Sequence, residues 1–385
     1  MDRQYDCLVV GCGFAGAVAA RELAERAGKK VLVIEKRPHI GGGAYDFVND
    51  DTVLVHRYGP HIFHTASGRV FEYLKRFTRF REYSHEVLAD VHGRLIPVPF
   101  NLNSLEAAFG TQKGDRLKEK LVGAYGMGRR VAISELRGQT DGELRELYEY
   151  VYNNIFLYYT QKQWGLSPDE IDPSVTARVP VLIAHDNRYF QDPYQGMPLD
   201  GYTRLFENLL RHPNIDLRLN TDSGAVISLL GTQILFDGAP FSGIVVYTGA
   251  ADEFFGYRFG RLHYRTLDFV FETYDRTWYQ QKGTVNYTVD RDYTRITEFK
   301  HLTGQQIDGK TTIMKEYPRE YTGSADETPY YPVAGEESGR LYEKYKDLAG
   351  KIDRFYLLGR LAEYKYYNMD AVVERALSLC DRILG

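Results

Sequence analysis

Long hydrophobic runs and cysteine are scarce in this chain of 385 residues. No run of 18 apolar residues occurs and the mean hydropathy is -0.41, which argues against a membrane span. The first four residues lack a basic region that leads into an apolar segment, so we expect no export signal. The three cysteines have no metal-ligand spacing and an odd number, which favours a reducing cytoplasm and no metal site.

An excess of positive charge is also missing. The net charge is -4 and the basic residues form no stripe, so nucleic acid is not an expected partner. The length allows two or three domains, and no internal repeat divides it. What the chain does have is 31 tyrosines, bunched at 148–159, 317–345 and 356–367. Such bunching suits a polar aromatic pocket for a sugar or nucleotide, and it equally suits packing within sheets.

A glycine motif follows the first apolar strand. The strand leads straight into Gly11-x-Gly13-x-x-Gly16, and an Ala-rich amphipathic helix comes next. These glycines permit a tight turn, a close approach of the backbone to a pyrophosphate, and packing of helix on strand. A second apolar strand ends at Glu35, about 20 residues further on, where a carboxylate can accept hydrogen bonds from a ribose. The context predicts a Rossmann-like domain that binds a dinucleotide at a helix N-terminus.

A second glycine segment follows Lys36. The triplet Gly41-Gly42-Gly43 permits another backbone segment to pass close beside a large flat ligand. This arrangement resembles the flavoprotein family that includes the amine oxidases, in which the cofactor is a buried FAD. No second strand-GxGxxG-helix unit for a nicotinamide is present. Electrons from NADH or NADPH would therefore arrive by transient binding near the flavin.

The pattern is helical between Ser104 and about Gln163. Apolar side chains recur there at helix spacing, at Leu144, Leu147, Tyr148, Val151, Ile155 and Tyr158. Thr140-x-x-Glu143 predicts a capping box at the start of a helix, and Ser167-Pro168-Asp169-Glu170 predicts another. We predict an inserted helical domain over 98–165 that contributes part of a uridine site.

From about Gly260 to Thr312 the pattern alternates, which predicts antiparallel strands such as 267–273 and 293–299. Apolar strands at 243–249 and 355–359, and a final helix from about Ala371, indicate returns to the nucleotide domain. We therefore predict an α/β fold: a discontinuous Rossmann-like FAD-binding domain with an inserted helical domain and an antiparallel β-sheet domain. The predicted FAD-binding domain spans 1–80, 195–260 and 340–385, and the sheet domain spans 81–97, 166–194 and 261–339.

A more specific resemblance begins at the segment Tyr58-Gly59-Pro60-His61-Ile62-Phe63-His64-Thr65, which is similar to a motif of the UDP-galactopyranose mutases. These flavoenzymes interconvert the pyranose and furanose rings of UDP-galactose. The similarity recurs in order at 97–101, 159–165, 174–180, 187–190, 293–295 and 359–370. It covers nearly the whole chain, which is identified as a member of this family.

Membership implies a cytoplasmic isomerase with a reduced FAD. In the family N5 of the flavin attacks the anomeric carbon as UDP leaves, and the resulting flavin N5-sugar adduct opens and recloses as a five-membered ring before UDP returns. The cofactor is the nucleophile, and the protein binds UDP and aims the flavin. The resemblance also implies a nucleotide-sugar substrate, a homo-oligomer of two or more copies, and supply of galactofuranose to a bacterial cell-surface polysaccharide.

The resemblance assigns roles to the candidate site residues. Arg178 and Arg295 match the arginines that clamp the diphosphate, because guanidinium offers forked, charge-assisted bonds, and His64 matches a histidine beside the flavin. The implied substrate-binding residues are Tyr159, Thr160, Trp164, Asn187, Tyr189, Phe190, Tyr331 and Tyr366. The implied cofactor-binding residues are Gly11, Gly13, Gly16, Glu35, Lys36, Gly42, Gly43, His61, Arg360, Asn368, Met369 and Asp370.

The family uses the segment around Arg178 as a mobile lid, which implies closure over substrate. The chain departs from the family pattern at three positions. Gly43 stands where Asn is usual, which removes a polar side chain near the flavin. Asp292 stands where a proline is common, and Asn368 stands where many members have Asp. None of these changes removes a residue that the implied chemistry needs.

Three other functions share parts of this pattern. The same ring contraction on another nucleotide sugar, UDP-N-acetylgalactosamine or a deoxyhexose nucleotide, would differ near the sugar C2 and C6, where the sequence identifies no residue. An amine-oxidase-type oxidoreductase would share the FAD fold, but paired diphosphate arginines would repel an amine. A catalytically silent nucleotide-sugar-binding protein would have no need of His61, His64 and both arginines.

Overall fold

The computed structural model describes residues 5–165, 180–324, 327–333 and 335–385. Arg178 with its predicted lid and the predicted capping box at Ser167 lie outside the described residues. A five-stranded parallel sheet has the spatial order Ile215–Arg218, Val31–Ile34, Cys7–Val10, Ile244–Tyr247 and Phe355–Leu357. The predicted α/β fold with a Rossmann-like domain is confirmed, and three separate parts of the chain build its sheet.

Both faces of this parallel sheet are covered, as such sheets require because their strands are apolar throughout. One face packs against the helices Phe14–Ala27, Tyr202–Leu210 and Met369–Leu384. The other face packs against the helix Glu336–Ala349 and a small antiparallel sheet formed by Ile227–Leu230, Gln233–Phe236 and Ala239–Phe241. The carboxyl ends of the strands remain open toward the rest of the molecule, which is where ligands of such folds bind.

The second main sheet has seven strands. Their spatial order is Tyr331–Pro332, Tyr264–Tyr274, Thr311–Glu320, Arg295–Glu298, Thr284–Tyr287, Val87–Val91 and Arg94–Val98. All neighbours are antiparallel except Thr284–Tyr287 and Val87–Val91, which run parallel. A parallel pair needs a long connection, and these two strands come from distant parts of the chain. The predicted strand 293–299 is shorter than expected, since Phe299 begins the helix Phe299–Thr303. We refer to this sheet as the large sheet.

The inserted helical region has its own apolar core, which also covers one end of the large sheet. Its helices are Leu102–Phe109, Thr111–Tyr125, Ile133–Arg137, Gly142–Val151 and Tyr158–Trp164. The predicted capping residue Thr140 is wrong. Asp141 is the N-cap, and its carboxylate accepts hydrogen bonds from the amides of Glu143 and Leu144 at 2.9 and 3.1 Å. A carboxylate one position later thus performs the capping predicted for the threonine, and the helix begins one residue later.

A π-helical segment, Tyr152–Leu157, interrupts this region just before the helix Tyr158–Trp164. The helical periodicity predicts Tyr158 on the buried face, and this is wrong, because Tyr158 is 46% exposed. A π turn has i to i+5 hydrogen bonds and so adds a residue to the turn, which rotates the following helix. The buried face therefore continues through Thr160 and Gln163, which line a cavity.

Short elements connect these units. They are the paired strands Asp46–Val48 with Leu54–His56 and Arg130–Val131 with Val181–Leu182, the three-stranded sheet Phe63–Thr65, Tyr194–Pro198 and Phe80–Glu82, and the helices Gly42–Ala44, Gly68–Lys75, Ser223–Val226 and Ala251–Phe254. No helix in the described ranges is long and apolar enough to cross a membrane. Within the same ranges, no group of three or more histidines, cysteines and carboxylates could hold a metal ion.

Candidate functional site

Three adjoining cavities run from the parallel sheet to the large sheet. The glycine cavity, of 280 Å³, is lined by the two glycine segments. The central cavity, of 520 Å³, shares Gly43, His61, Tyr330, Arg360 and Met369 with it. The tyrosine cavity, of 190 Å³, shares Tyr189, Asn286, Arg295, Tyr331 and Tyr366 with the central cavity. A long ligand system can therefore extend through all three.

Backbone forms the floor of the glycine cavity. Gly11 has a φ of +95°, and a Cβ there would lie 2.0 Å from Oγ1 of Thr248. Gly42 faces the other glycine segment, where its Cβ would lie 2.7 Å from Cα of Gly13. The helix Phe14–Ala27 begins at this point with neither a side-chain cap nor an acidic residue in its first turn. Its free amides can therefore bind a pyrophosphate.

Glu35 stands at the wall of the glycine cavity. Its two carboxylate oxygens accept hydrogen bonds from the amides of Cys12 and Arg37, both at 2.9 Å. A carboxylate has about four lone-pair positions, so Glu35 retains the capacity to accept from a ribose. Burial, with Glu35 nearby, raises the pKa of the Cys12 thiol to about 12. This thiol is protonated at neutral pH and is not a nucleophile. Lys36 is exposed at the rim of the same cavity.

His61 lies where the glycine and central cavities join. Its Nδ1 is 2.9 Å from the carbonyl oxygen of Gly59, and its amide donates to Nδ1 of His56. Desolvation, with the like charge that His56 would carry, lowers the pKa of His61 to about 3. A neutral imidazole thus faces the cavity. Gly43, opposite it, brings no polar side chain.

Arg360 supplies positive charge at the same junction. Its guanidinium donates to the carbonyl oxygens of Tyr330 and Tyr367 and lies 4.9 Å from the centre of the Tyr366 ring. Asn368 is the N-cap of the final helix and lines the central cavity without making a side-chain cap bond. The guanidinium favours negative charge on a ligand at this point, and the helix N-terminus adds to this although an acidic residue lies in its first turn.

Arg295 and Glu316 form an ion pair between neighbouring strands of the large sheet. The two residues are paired in register, and Nε of Arg295 lies 2.6 Å from Oε1 of Glu316. Glu316 is 0% exposed. Burial raises the pKa of its carboxyl, and the adjacent guanidinium opposes that shift. Because no other bond holds the guanidinium among the described residues, its terminal nitrogens are available for an anion where two cavities meet.

Aromatic rings form the wall of the tyrosine cavity. Trp164 lies against Tyr331 with ring centres 5.8 Å apart, and Tyr331 stacks on Tyr366 at the same distance. Tyr159 and Thr160 come from the helix that follows the π segment. Burial raises the pKa of Tyr331 to about 12 and also raises the pKa of Tyr159, so both phenols remain protonated donors. Such a wall suits a flat, polar base and its ribose.

A histidine and a carboxylate line the central cavity together. Nδ1 of His64 is 2.7 Å from Oδ2 of Asp192, and the imidazole stacks on Phe190 with ring centres 3.6 Å apart. Since Asp192 holds Nδ1, Nε2 is the nitrogen that a ligand can use. Phe190 itself lines the cavity, next to Tyr189.

Most of the predicted site residues in the described ranges line one of the three cavities. Asn187 does not, because its side-chain oxygen accepts from the amides of Asn101 and Asn103 at 3.1 and 2.9 Å. Gly16 packs under the Gly11 carbonyl, and Asp370 accepts from the amide of Ala371.

Several residues at the site have no counterpart in the predictions. Asp192 lies two residues after Phe190, and its place beside a predicted aromatic was the signal that could have identified it. Glu316, Thr284 and Asn286 lie in strands of the large sheet without any local motif. Only the register of the strands brings them to the cavity wall.

The fold and cavities define an enzyme with a Rossmann-like dinucleotide-binding domain and an adjoining substrate site. A model of the NAD(P)-binding Rossmann-like domain matches residues 9–77. A second model, described as UDP-galactopyranose mutase, matches residues 154–366. The chain belongs to the UDP-galactopyranose mutase family, and the predicted membership is confirmed.

Curated relatives agree over nearly the full length. A probable UDP-galactopyranose mutase of Klebsiella pneumoniae is 36% identical over 380 residues, which cover 98% of this chain and 94% of the relative. A dTDP-fucopyranose mutase of Escherichia coli is 35% identical over 372 residues, which cover 96% of each chain. A crystal structure of reduced UDP-galactopyranose mutase has the same fold, with a TM-score of 0.73, 16% identity, and coverage of 99% of this chain and 94% of that one.

Proposed function

We propose that this chain is a reduced-FAD-dependent mutase that interconverts UDP-galactopyranose and UDP-galactofuranose. The observation that supports this most is the order of the cavities. A dinucleotide cradle opens into a central cavity, and an aromatic nucleoside-sized cavity follows with Arg295 at its entrance. A nucleotide sugar bound with its diphosphate on Arg295 would direct its sugar toward the glycine cavity.

The residues present fit FAD. Gly11 and Gly42 leave the space that a Cβ would fill, and Glu35 would accept from the adenosine ribose. Arg360 and the N-terminus of the helix Met369–Leu384 would favour an anionic reduced flavin at the junction. When bound and reduced, FAD would supply the N5 nucleophile of the flavin N5-sugar adduct in this proposal. NADH or NADPH would be the transient electron donor.

The protein's own side chains would bind and orient the substrate. Arg295 would hold the diphosphate, with Arg178 as the second cation that the sequence predicts, and Tyr331 and Tyr366 would donate hydroxyl hydrogen bonds. Trp164, Tyr159 and Thr160 would hold the uridine, with Tyr189 and Phe190 beside them. Nε2 of His64, oriented by Asp192, could hold or transfer a proton of a sugar hydroxyl.

A second candidate is the same ring contraction on a deoxyhexose nucleotide. The full-length similarity to a dTDP-fucopyranose mutase supports this candidate, because that relative is as similar to the chain as a UDP-galactopyranose mutase is. For either substrate we propose a cytoplasmic homo-oligomer that supplies furanose sugars to a cell-surface polysaccharide.

The test is to reduce the purified protein with dithionite, add UDP-galactofuranose, and separate the products by chromatography. Unreduced protein is the control, and dTDP-fucofuranose is assayed in parallel. Conversion of UDP-galactofuranose in the reduced sample alone supports the main proposal. Conversion of the deoxyhexose nucleotide alone supports the second candidate, and a protein that converts neither and does not bind UDP contradicts both.

A further inference from the structure

We propose that Thr284 is a specificity-determining residue that binds a hydroxyl group of the substrate sugar, so that the enzyme prefers a fully hydroxylated hexose to its deoxy analogue. This inference rests on the proposed function, because it requires a nucleotide sugar in the central and tyrosine cavities. It identifies the part of the central-cavity wall that would recognise the sugar, which the sequence did not reveal.

One stretch of backbone runs along the floor of both cavities. Thr288 lines the tyrosine cavity alone, Asn286 lines both cavities, and Thr284 lines the central cavity alone. Alternate residues of a strand face the same side of a sheet, and two residues advance the chain by about 6.6 Å. The three side chains, in the order Thr288, Asn286 and Thr284, therefore lie beneath successive parts of an extended ligand.

The position of Arg295 sets the frame for that ligand. Asn286 is paired in register with Arg295, which is paired in turn with Glu316. Arg295 therefore lies in the middle of the series, at the entrance between the two cavities. With the nucleoside in the tyrosine cavity and the diphosphate on Arg295, the hexose has to lie beyond Arg295, on the side of Thr284 and His61.

The wall on that side contains polar atoms without partners. Thr284 is 1% exposed, and its Oγ1 has no hydrogen-bond partner among the described residues. Within the same described part of the chain, Oδ1 of Asn286 and Oε2 of Glu316 are also unpartnered. Buried polar groups are as a rule hydrogen-bonded, so three such oxygens at one wall indicate a ligand that brings several donors. Sugar hydroxyls are donors of this kind.

Thr284 is the member of this group that can discriminate between sugars. Glu316 already pairs with Arg295 through Oε1. Asn286 lies beside Arg295, where the diphosphate is proposed to bind. Apolar Val87 is the partner in register of Thr284 on one side, and apolar Leu267 lines the same cavity. On the other side the partner in register is Thr297, whose Oγ1 also has no hydrogen-bond partner among the described residues. A sugar that lacks the matching hydroxyl would leave Oγ1 of Thr284 buried without a hydrogen-bond partner. A site built to bind a hydroxyl rejects the analogue without it for this reason.

The experiment uses Thr284→Val, which removes the hydroxyl and keeps the shape, and Thr284→Ser, which keeps the hydroxyl. Dithionite-reduced holoenzymes are assayed with UDP-galactofuranose and with its 2-deoxy and 6-deoxy analogues. We expect Thr284→Val to lower kcat/KM for UDP-galactofuranose by roughly 10- to 100-fold, because the sugar hydroxyl would be buried without its hydrogen-bond partner. For one of the deoxy analogues, kcat/KM should stay within about twofold. Thr284→Ser should keep the wild-type preference.

Binding distinguishes this role from a structural one and from failure of the proposed function. In Thr284→Val the Kd of UDP should be unchanged and the Tm should not fall, because the hydroxyl removed has no partner among the described residues of the folded protein. The extra affinity that the sugar adds to UDP should decrease. An equal loss for all three sugars, or no loss for any, would overturn the proposal. If the wild-type enzyme converts no sugar, the proposed function fails, and the difference in Kd between UDP-galactose and its deoxy analogues still decides the role of Thr284.

Discussion

The glycine cavity and the central cavity adjoin each other but are built in opposite ways. In the glycine cavity, backbone without side chains forms the floor, and the segments that provide it lie close together in the chain. In the central cavity, the wall consists of side chains from distant segments, such as His64, Asp192, Arg295 and Glu316. Several buried oxygens in that wall are unpartnered among the described residues.

This difference shows how binding and selectivity are divided between the cavities. A cradle of amides at a helix N-terminus binds any pyrophosphate and depends on the absence of Cβ atoms. A wall of unpaired polar side chains is unfavourable for folding and becomes satisfied only when the correct ligand is bound. Common cofactor chemistry is thus encoded by backbone geometry, and the choice of substrate is encoded by side chains.

The sharpest test of the backbone cradle is Gly11→Ala. We expect almost complete loss of bound flavin, because the new Cβ would lie 2.0 Å from Oγ1 of Thr248 and the φ of +95° disfavours any side chain. The measurement is the ratio of flavin absorbance to protein in the purified sample. Gly28→Ala is the matched control, since Gly28 also has a positive φ but open space around it. Full flavin content in Gly11→Ala would contradict the role of the cradle.

The next effect concerns the ion pair in the side-chain wall. Arg295→Met leaves the buried Glu316 carboxylate without its partner, so we expect a loss of about 3–5 kcal/mol in the free energy of unfolding together with loss of turnover. The double variant Arg295→Met with Glu316→Leu should recover most of the stability but none of the activity. Urea unfolding and the dithionite-activated assay measure the two quantities. Recovery of turnover in the double variant would show that Arg295 serves the fold alone.

A smaller effect is expected for the two neighbouring tyrosines after the π segment. Tyr159→Ala should weaken UDP binding roughly 10- to 100-fold, since stacking on a base is of this order. Tyr158→Ala should leave it unchanged, because that side chain is exposed. Isothermal titration with UDP measures both. Equal losses, or a larger loss at Tyr158, would mean that the π segment does not set the face of this helix.

The smallest effect is a pH dependence that originates in the central cavity. His85 lines that cavity and is buried, and burial lowers its pKa to about 3. In the unfolded chain the pKa is about 6.5, so His85 contributes stability above pH 6.5 that is lost as the pH falls toward 3. We expect its share of the loss between pH 7 and pH 5 to be roughly 1–2 kcal/mol.

Urea unfolding at pH 7 and pH 5 measures this dependence. His85→Gln should reduce the difference between the two pH values, whereas His92→Asn, at an exposed position, should leave it unchanged. If His85→Gln retains the full wild-type difference, the burial of this imidazole does not govern the acid sensitivity.

Local patterns in the sequence were informative where one segment decides the outcome. The glycine motif and the second strand that ends at Glu35 predicted the cradle, and its floor is the backbone of those segments. The same reasoning failed at Tyr158, because a π turn changes the periodicity without a marker in the sequence. It failed at Thr140 because Asp141 offered an equivalent cap one residue later.

The amino-acid sequence by itself determined the α/β class, the dinucleotide cradle and the family, since these depend on apolar strands, on glycines at fixed spacing and on short contiguous motifs. The tertiary structure alone decided that Glu316 holds Arg295, that Asp192 holds His64 and that Thr284 faces the central cavity. The physical reason is strand register. A shift of one residue between distant strands would turn Arg295, Glu316 and Thr284 to the opposite face, and no local motif identifies the partner strand.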